Sequence, residues 1–311
     1  MIKPGSSLPA FLAGAAAGAG LAAAAIGMGL LRPRPAPPAA APAPPPSVYN
    51  AAAAIRPAPD PGWAALRDDL ARLLTNGVQG RYGLYLEDLR TGASLGIRER
   101  EAFRPWSQLK VCVLVAALKA VQDGRLSLAN PPPLPPAESG PSAGLPLLTH
   151  MERMIGESDN QASFALARCF TAEEFQETLM ALGLPSAPPG KPKTHLPDIT
   201  PRAFANALRS LTAAAYLRKP YADLALALLS DTIFDTQLRA GLPPDVPLAH
   251  SVGFNAESGD FSDSGIIYLP GAPYILCLMG ADSTREESER VMSEASRRVY
   301  ERLRERSRAA E

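Results

Sequence analysis

The sequence predicts an α+β fold: an antiparallel sheet formed by the N- and C-terminal parts of the folded chain, packed against helices, with an all-helical lobe inserted between those parts. Two observations carry this. Strand-like runs at Tyr82–Leu89 and Ala93–Ile97 flank the turn Arg90-Thr91-Gly92, and strand character returns only at Pro247–Phe254, Gly265–Leu269 and Tyr274–Met279. The stretch between them has helical spacing broken by Pro-rich loops at 131–146 and 185–201. Strands confined to the two ends combine into one sheet, and the helical middle becomes the second lobe.

The first element, Trp63–Leu74, places apolar residues at 63, 66, 70, 73 and 74, and Asn76-Gly77 supplies its stop. The hairpin follows. Val111–Val121 is apolar almost all round, interrupted by Lys119, and ends at Asp123-Gly124. A helix without a polar face is a central, buried one. After the last strand, Thr284–Arg306 reads as a charged amphipathic terminal helix.

Ahead of the folded part, Leu8–Leu31 is a run of 24 residues without a charge, with Lys3 before it and Arg32 and Arg34 after it. About twenty apolar residues span a bilayer, so residues 1–32 are expected to be a membrane anchor or a signal segment. Eleven of the 33 prolines crowd into residues 33–61, which therefore form an extended Pro/Ala-rich linker. The folded domain is expected over 62–311, in the cell envelope outside the cytoplasmic membrane, membrane-anchored or secreted.

Composition excludes several classes. Lys and Arg total 31 against 31 Asp and Glu, so no electrostatic footprint supports nucleic-acid binding. Cys112, Cys169 and Cys277 are too few and too scattered for a disulfide framework, and with three histidines no metal site and no cofactor is expected.

Two short motifs carry chemistry. Ser107 opens the apolar helix and Lys110 follows three residues on, so hydroxyl and ammonium share one helix face. A serine hydroxyl needs a neighbouring base to become a nucleophile, and a lysine desolvated in an apolar cleft can be that base. The helix N-terminus favours an oxyanion at the same place. The bland alternative is a helix cap followed by a snorkelling Lys. No other Ser of the chain has Lys three residues on. The second motif is Ser158-Asp159-Asn160, which taken alone reads as a turn or a helix cap.

Together, and in this order, these residues resemble the penicillin-recognising serine hydrolases, most closely the class A beta-lactamase group, over roughly Trp63 to Arg306. The resemblance implies a beta-lactamase-like fold, with Ser107 as nucleophile, Lys110 as its base and Ser158 relaying a proton to the leaving nitrogen. It implies Asn160 as a substrate-binding amide and Asp159 as a structural residue facing away. The family's third motif, Lys-Thr-Gly, corresponds to Ser251, Val252 and Gly253, so only the glycine is kept; Ser251 and Gly253 fall in the substrate-binding strand. Ser264 stands where many class A enzymes carry a second, arginine anchor for the substrate carboxylate. His250 cannot replace the missing cation, because adjacent strand residues face opposite ways.

The family's loop glutamate, which activates water for deacylation, has no counterpart: no Glu occurs between Glu177 and Glu257. Asp198 is the one acid of the Pro185–Thr200 loop, and Thr200-Pro201 after it reads as a helix start, which makes Asp198 helix-start chemistry before a general base. His195 is read as a solvated loop residue. The expected function is an exported or membrane-anchored serine hydrolase attacking an amide or lactam carbonyl of a small molecule or a peptidoglycan peptide. The alternative is a catalytically impaired module of the same fold that binds cell-wall peptide or a protein partner. Oligomeric state is left open.

Overall fold

The computed structural model describes residues 63–133, 144–185 and 197–310. The expectations for the apolar N-terminal segment, the Pro-rich linker and His195 fall outside them. Among the described residues no helix is long and apolar enough to cross a membrane.

Helix α1 (Ala64–Leu73) leads into the hairpin β1 (Arg81–Asp88) and β2 (Ser94–Ile97). The turn Trp106–Leu109, which carries Ser107, is a short 3-10 segment that runs into α2 (Lys110–Gln122). The lobe continues as α3 (Leu147–Gly156), α4 (Asn160–Ala167), α5 (Ala172–Ala181), α6 (Pro201–Thr212) and α7 (Lys219–Ser230). The chain then returns through β3 (Leu248–Asn255), β4 (Asp260–Ile267), β5 (Tyr274–Ala281) and the terminal helix α8 (Arg285–Ala310). The five strands form one antiparallel sheet in the order β2-β1-β5-β4-β3. The N-terminal hairpin joins the C-terminal strands through β1 and β5, from Arg81 opposite Ala281 to Asp88 opposite Tyr274.

Strand alternation divides two cores. Tyr274, Leu276 and Leu278 of β5 pack with Leu66 and Leu70 of α1 and Val291, Met292 and Val299 of α8. Ile275, Cys277 and Met279 face the helical lobe and its centre, α2. Lys110 is itself one of α2's buried residues. One ion pair crosses from sheet to lobe: Arg209 of α6 donates from Nε to Glu87 Oε1 of β1 at 2.6 Å and from Nη2 to Oε2, and Tyr85 Oη donates to the same carboxylate at 2.9 Å.

One strand boundary differs from the sequence reading by more than two residues. β4 starts at Asp260, not Gly265. Its first half, Asp260-Phe261-Ser262-Asp263-Ser264, has polar residues on both faces, so no apolar alternation shows. Those polar groups find partners only in the folded state: Ser262 Oγ donates to the Gly253 carbonyl, Asp263 bonds His250, and Ser264 accepts from Gln108.

Candidate active site

The two motifs meet at Lys110. Its ammonium donates to the Ser158 carbonyl at 2.5 Å, to Ser158 Oγ at 2.7 Å and to Asn160 Oδ1 at 2.8 Å, which uses all three N–H groups. Lys110 sits at the start of α2, where it is 7% exposed. Burial lowers its pKa from 10.5 to about 8, with the Asp159 carboxylate pulling the other way. The neutral amine is thereby brought closer to physiological pH.

Ser158 reaches the lysine through an unusual backbone. It lies between the end of α3 and the start of α4 with φ +57°, a left-handed conformation that costs about 1–2 kcal/mol in an L-residue. Asp159 holds the corner: Oδ1 accepts from Gln161 N at 2.8 Å and Ala162 N at 3.2 Å as the cap of α4, and Oδ2 pairs with Arg153 Nε at 3.3 Å. The carboxylate thus serves the helix start.

Ser107 lies on the 3-10 turn, half-buried, with its carbonyl accepting from the Lys110 backbone N–H. Among the described residues its hydroxyl makes no hydrogen bond: Lys110 and Ser158 bond each other, and Ser107 is joined to neither of them by a side-chain hydrogen bond. Trp106 before it has φ +46°, a second left-handed non-glycine residue. The turn rests against β3 at Gly253. A Cβ built there would stand 2.2 Å from the Pro105 carbonyl oxygen and 3.1 Å from Gln108 N, so only glycine lets strand and turn approach this closely.

Strand alternation puts Ser251 with Gly253 on the face toward this turn, and Val252 on the other. Ser251 is 8% exposed, and its carbonyl accepts from Gln108 Nε2 at 3.1 Å. The same Gln108 amide donates to Ser264 Oγ at 3.0 Å, and Ser264 is fully buried. Ser264 is therefore covered by Gln108, whose Oε1 has no partner among the described residues. Gln108 carries no sequence signal, being an ordinary polar residue between the two motif positions.

His250 points away from the turn side, as alternation requires. Its Nδ1 bonds Asp263 Oδ1 at 2.9 Å and its Nε2 bonds Thr232 Oγ1 at 2.8 Å, while Asp263 Oδ2 accepts from Leu238 N at 3.0 Å. This chain ties the loop after α7 to β3 and β4. The next residue of that loop, Ile233, donates its N–H to the Gly156 carbonyl at 3.1 Å, just ahead of Ser158. Thr232 and Asp263 were not legible as partners of His250, since each lies in a segment with no motif.

Asp198 pairs with Arg104 at 2.9 Å, and both side chains are about half exposed. Thr200 Oγ1 caps α6 by accepting from Ala203 N at 3.1 Å, and Pro201 takes the first helical position. Ile199 bridges Phe103 in antiparallel fashion, which brings this segment beside the residues that lead into the Ser107 turn. Among the described residues no group of three or more His, Cys, Asp or Glu side chains is arranged to hold a metal ion. Burial raises the thiol pKa of Cys112, Cys169 and Cys277, so none of the three is a ready nucleophile.

Comparison with known proteins agrees with this fold. The model of the beta-lactamase enzyme family matches residues 65–303. An imipenem-hydrolyzing beta-lactamase of Enterobacter cloacae is 25% identical over 265 residues, covering 76% of this chain and 89% of that protein. Beta-lactamase SME-1 of Serratia marcescens is 25% identical over 253 residues, covering 72% and 84%. Among solved structures, PBP-A superposes with a TM-score of 0.69 at 25% identity, covering 78% of this chain and 97% of that one. A PBP-A variant described as an acyl-enzyme complex with penicillin G gives 0.68 at 25% identity, covering 78% and 97%. An ancestral class A beta-lactamase gives 0.67 at 25% identity, covering 76% and 99%.

Proposed function

Because the chain belongs to the beta-lactamase enzyme family over residues 65–303, we propose that it is a serine hydrolase of the penicillin-binding type, exported or membrane-anchored by residues 1–32 and carried on the 33–61 linker. Ser107 Oγ attacks an amide or lactam carbonyl while Lys110 Nζ, in its neutral form, takes the hydroxyl proton. The Ser107 backbone N–H forms half of the oxyanion hole at the start of α2. Ser158 passes a proton to the departing nitrogen as the carbon–nitrogen bond breaks, and Lys110 replaces that proton. Asn160 holds both the lysine and the substrate amide, and the Ser251–Gly253 strand lies along the substrate. The substrate is a small lactam or a peptidoglycan peptide.

The observation that supports this most is the buried lysine, whose pKa is lowered to about 8 and which bridges Ser158 and Asn160. A general base works best when its pKa lies near the working pH. Intact-mass analysis of the 62–311 domain with a panel of penicillins tests it. The expected result is a gain of one whole drug molecule that disappears in Ser107→Ala; no adduct with any member of the panel would overturn the reading.

A second reading, a slowly reacting or non-catalytic module that binds cell-wall peptide or a protein partner, is favoured by one observation. Neutral Ser251 and the buried, Gln108-bonded Ser264 leave the strand without a carboxylate anchor. Saturable peptide binding without an adduct on Ser107 would put this reading first.

A further inference from the structure

We infer that Trp106 and Asp260 are positioning residues for Ser107: the indole and the carboxylate form a clamp that holds the nucleophile turn in its left-handed conformation. The inference rests on Ser107 being the nucleophile, and adds what sets its position. Trp106 is the residue directly before Ser107 and has φ +46°. A bulky aromatic residue adopts that conformation only where its surroundings fix it. The fixing contact is the hydrogen bond from Trp106 Nε1–H to Asp260 Oδ2, 2.8 Å long, between residues 154 positions apart.

Asp260 is itself held. It is the first residue of β4, and the same Oδ2 accepts from Ser258 Oγ at 2.6 Å within the β3–β4 turn. The Arg104 guanidinium lies 5.9 Å from the centroid of the same ring and pairs with Asp198 at 2.9 Å. A strap of alternating charge and aromatic ring therefore runs from the segment before α6, through Arg104 and Trp106, to the β3–β4 hairpin. The turn is gripped twice: the strap holds Trp106, and Gly253 of β3 admits the Pro105 carbonyl. Both contacts bear on the two residues that precede Ser107, and small displacements of a nucleophile cost rate out of proportion to their size.

The clamp makes a prediction that simple structural support does not. Asp260→Leu, which keeps the size and loses the acceptor, should slow acylation of Ser107 at least tenfold while the concentration giving half-maximal rate stays within about twofold. Asp260→Asn, whose amide oxygen still accepts from the indole, should restore most of the rate. Trp106→Phe should match Asp260→Leu, and the double variant should be no slower than either single one. Hydrogen exchange of the backbone amides of residues 106–110 supplies a readout that needs no catalysis. It should quicken at least tenfold in Asp260→Leu and return in Asp260→Asn, with exchange in β5 unchanged.

Unchanged exchange at 106–110 in Asp260→Leu would overturn the clamp, and so would quickened exchange with undiminished acylation. A wild-type protein that forms no adduct, yet shows the quickened exchange on substitution, would support the clamp and sink the hydrolase reading, so the two failures are distinct.

Discussion

Lys110 and Asn160 stand 50 positions apart in the chain, and their side chains meet at 2.8 Å. The contact joins the start of α2 to the start of α4 and makes the buried lysine part of both motifs.

The rate of Ser107 acylation should rise with pH and level off above about 8. Burial lowers the Lys110 pKa from 10.5 to about 8, so raising the pH through that value increases the neutral amine that accepts the hydroxyl proton. A pH profile of adduct formation measured by mass checks this; a rate that falls between pH 7 and 9 in folded protein would exclude Lys110 as the base. The linkage sign agrees: between the two pKa values the unfolded chain holds the extra proton, so Lys110 makes stability rise with pH there.

Adding a cation to the strand should speed acylation by carboxylate-bearing penicillins. Ser251→Lys supplies a charge-assisted contact of a kind worth about 1.5–3 kcal/mol, which corresponds to roughly tenfold or more in rate. Deacylation should hardly change, because no water-activating glutamate is added. Stopped-flow acylation compared with the lifetime of the adduct separates the two steps. Equal acceleration of both would contradict the assignment.

Gly253→Ala should destabilise the domain. The added methyl would stand 2.2 Å from the Pro105 carbonyl oxygen, a backbone atom that yields only if the nucleophile turn moves. Overpacking of this kind costs about 1–3 kcal/mol. A lowered urea midpoint with unchanged m-value is the expected outcome, together with slower acylation of the folded fraction.

Removing one partner of the sheet-to-lobe ion pair should cost more than removing both. Arg209→Met leaves Glu87, whose side chain is 4% exposed, as a buried charge without its counterion, and such losses cost roughly 3–5 kcal/mol. The double variant Glu87→Met with Arg209→Met should recover part of that. Equilibrium unfolding of the three variants checks the order; a double variant less stable than Arg209→Met alone would contradict it.

Residues 62–311 expressed without the first 61 should be soluble, whereas the full chain should partition with membranes or be exported. The uncharged run Leu8–Leu31 motivates this. Fractionation of cells expressing each form is the measurement. A full chain recovered freely soluble in the cytoplasm with its N-terminus intact would remove both the anchor and the signal expectation.

The sequence by itself determined the architecture, because the features that report it are local. The Arg90-Thr91-Gly92 turn, the all-round apolar α2 and the unbroken apolar run of β5 each declare their element within a few residues, and the motif order of Ser107, Lys110, Ser158 and Asn160 points to one family. Thr200-Pro201 likewise announced the start of α6. The tertiary structure alone decided what depends on partners distant in the chain. The first half of β4 is a strand because Gly253, His250 and Gln108 satisfy its polar groups. Ser264 is buried because a glutamine between two motif residues folds onto it. The shift of Lys110, the His250–Asp263–Thr232 chain and the Trp106–Asp260 bond have the same origin. Burial and hydrogen bonding are properties of neighbourhoods in space, and a periodicity read along the chain contains no term for a neighbour a hundred residues away.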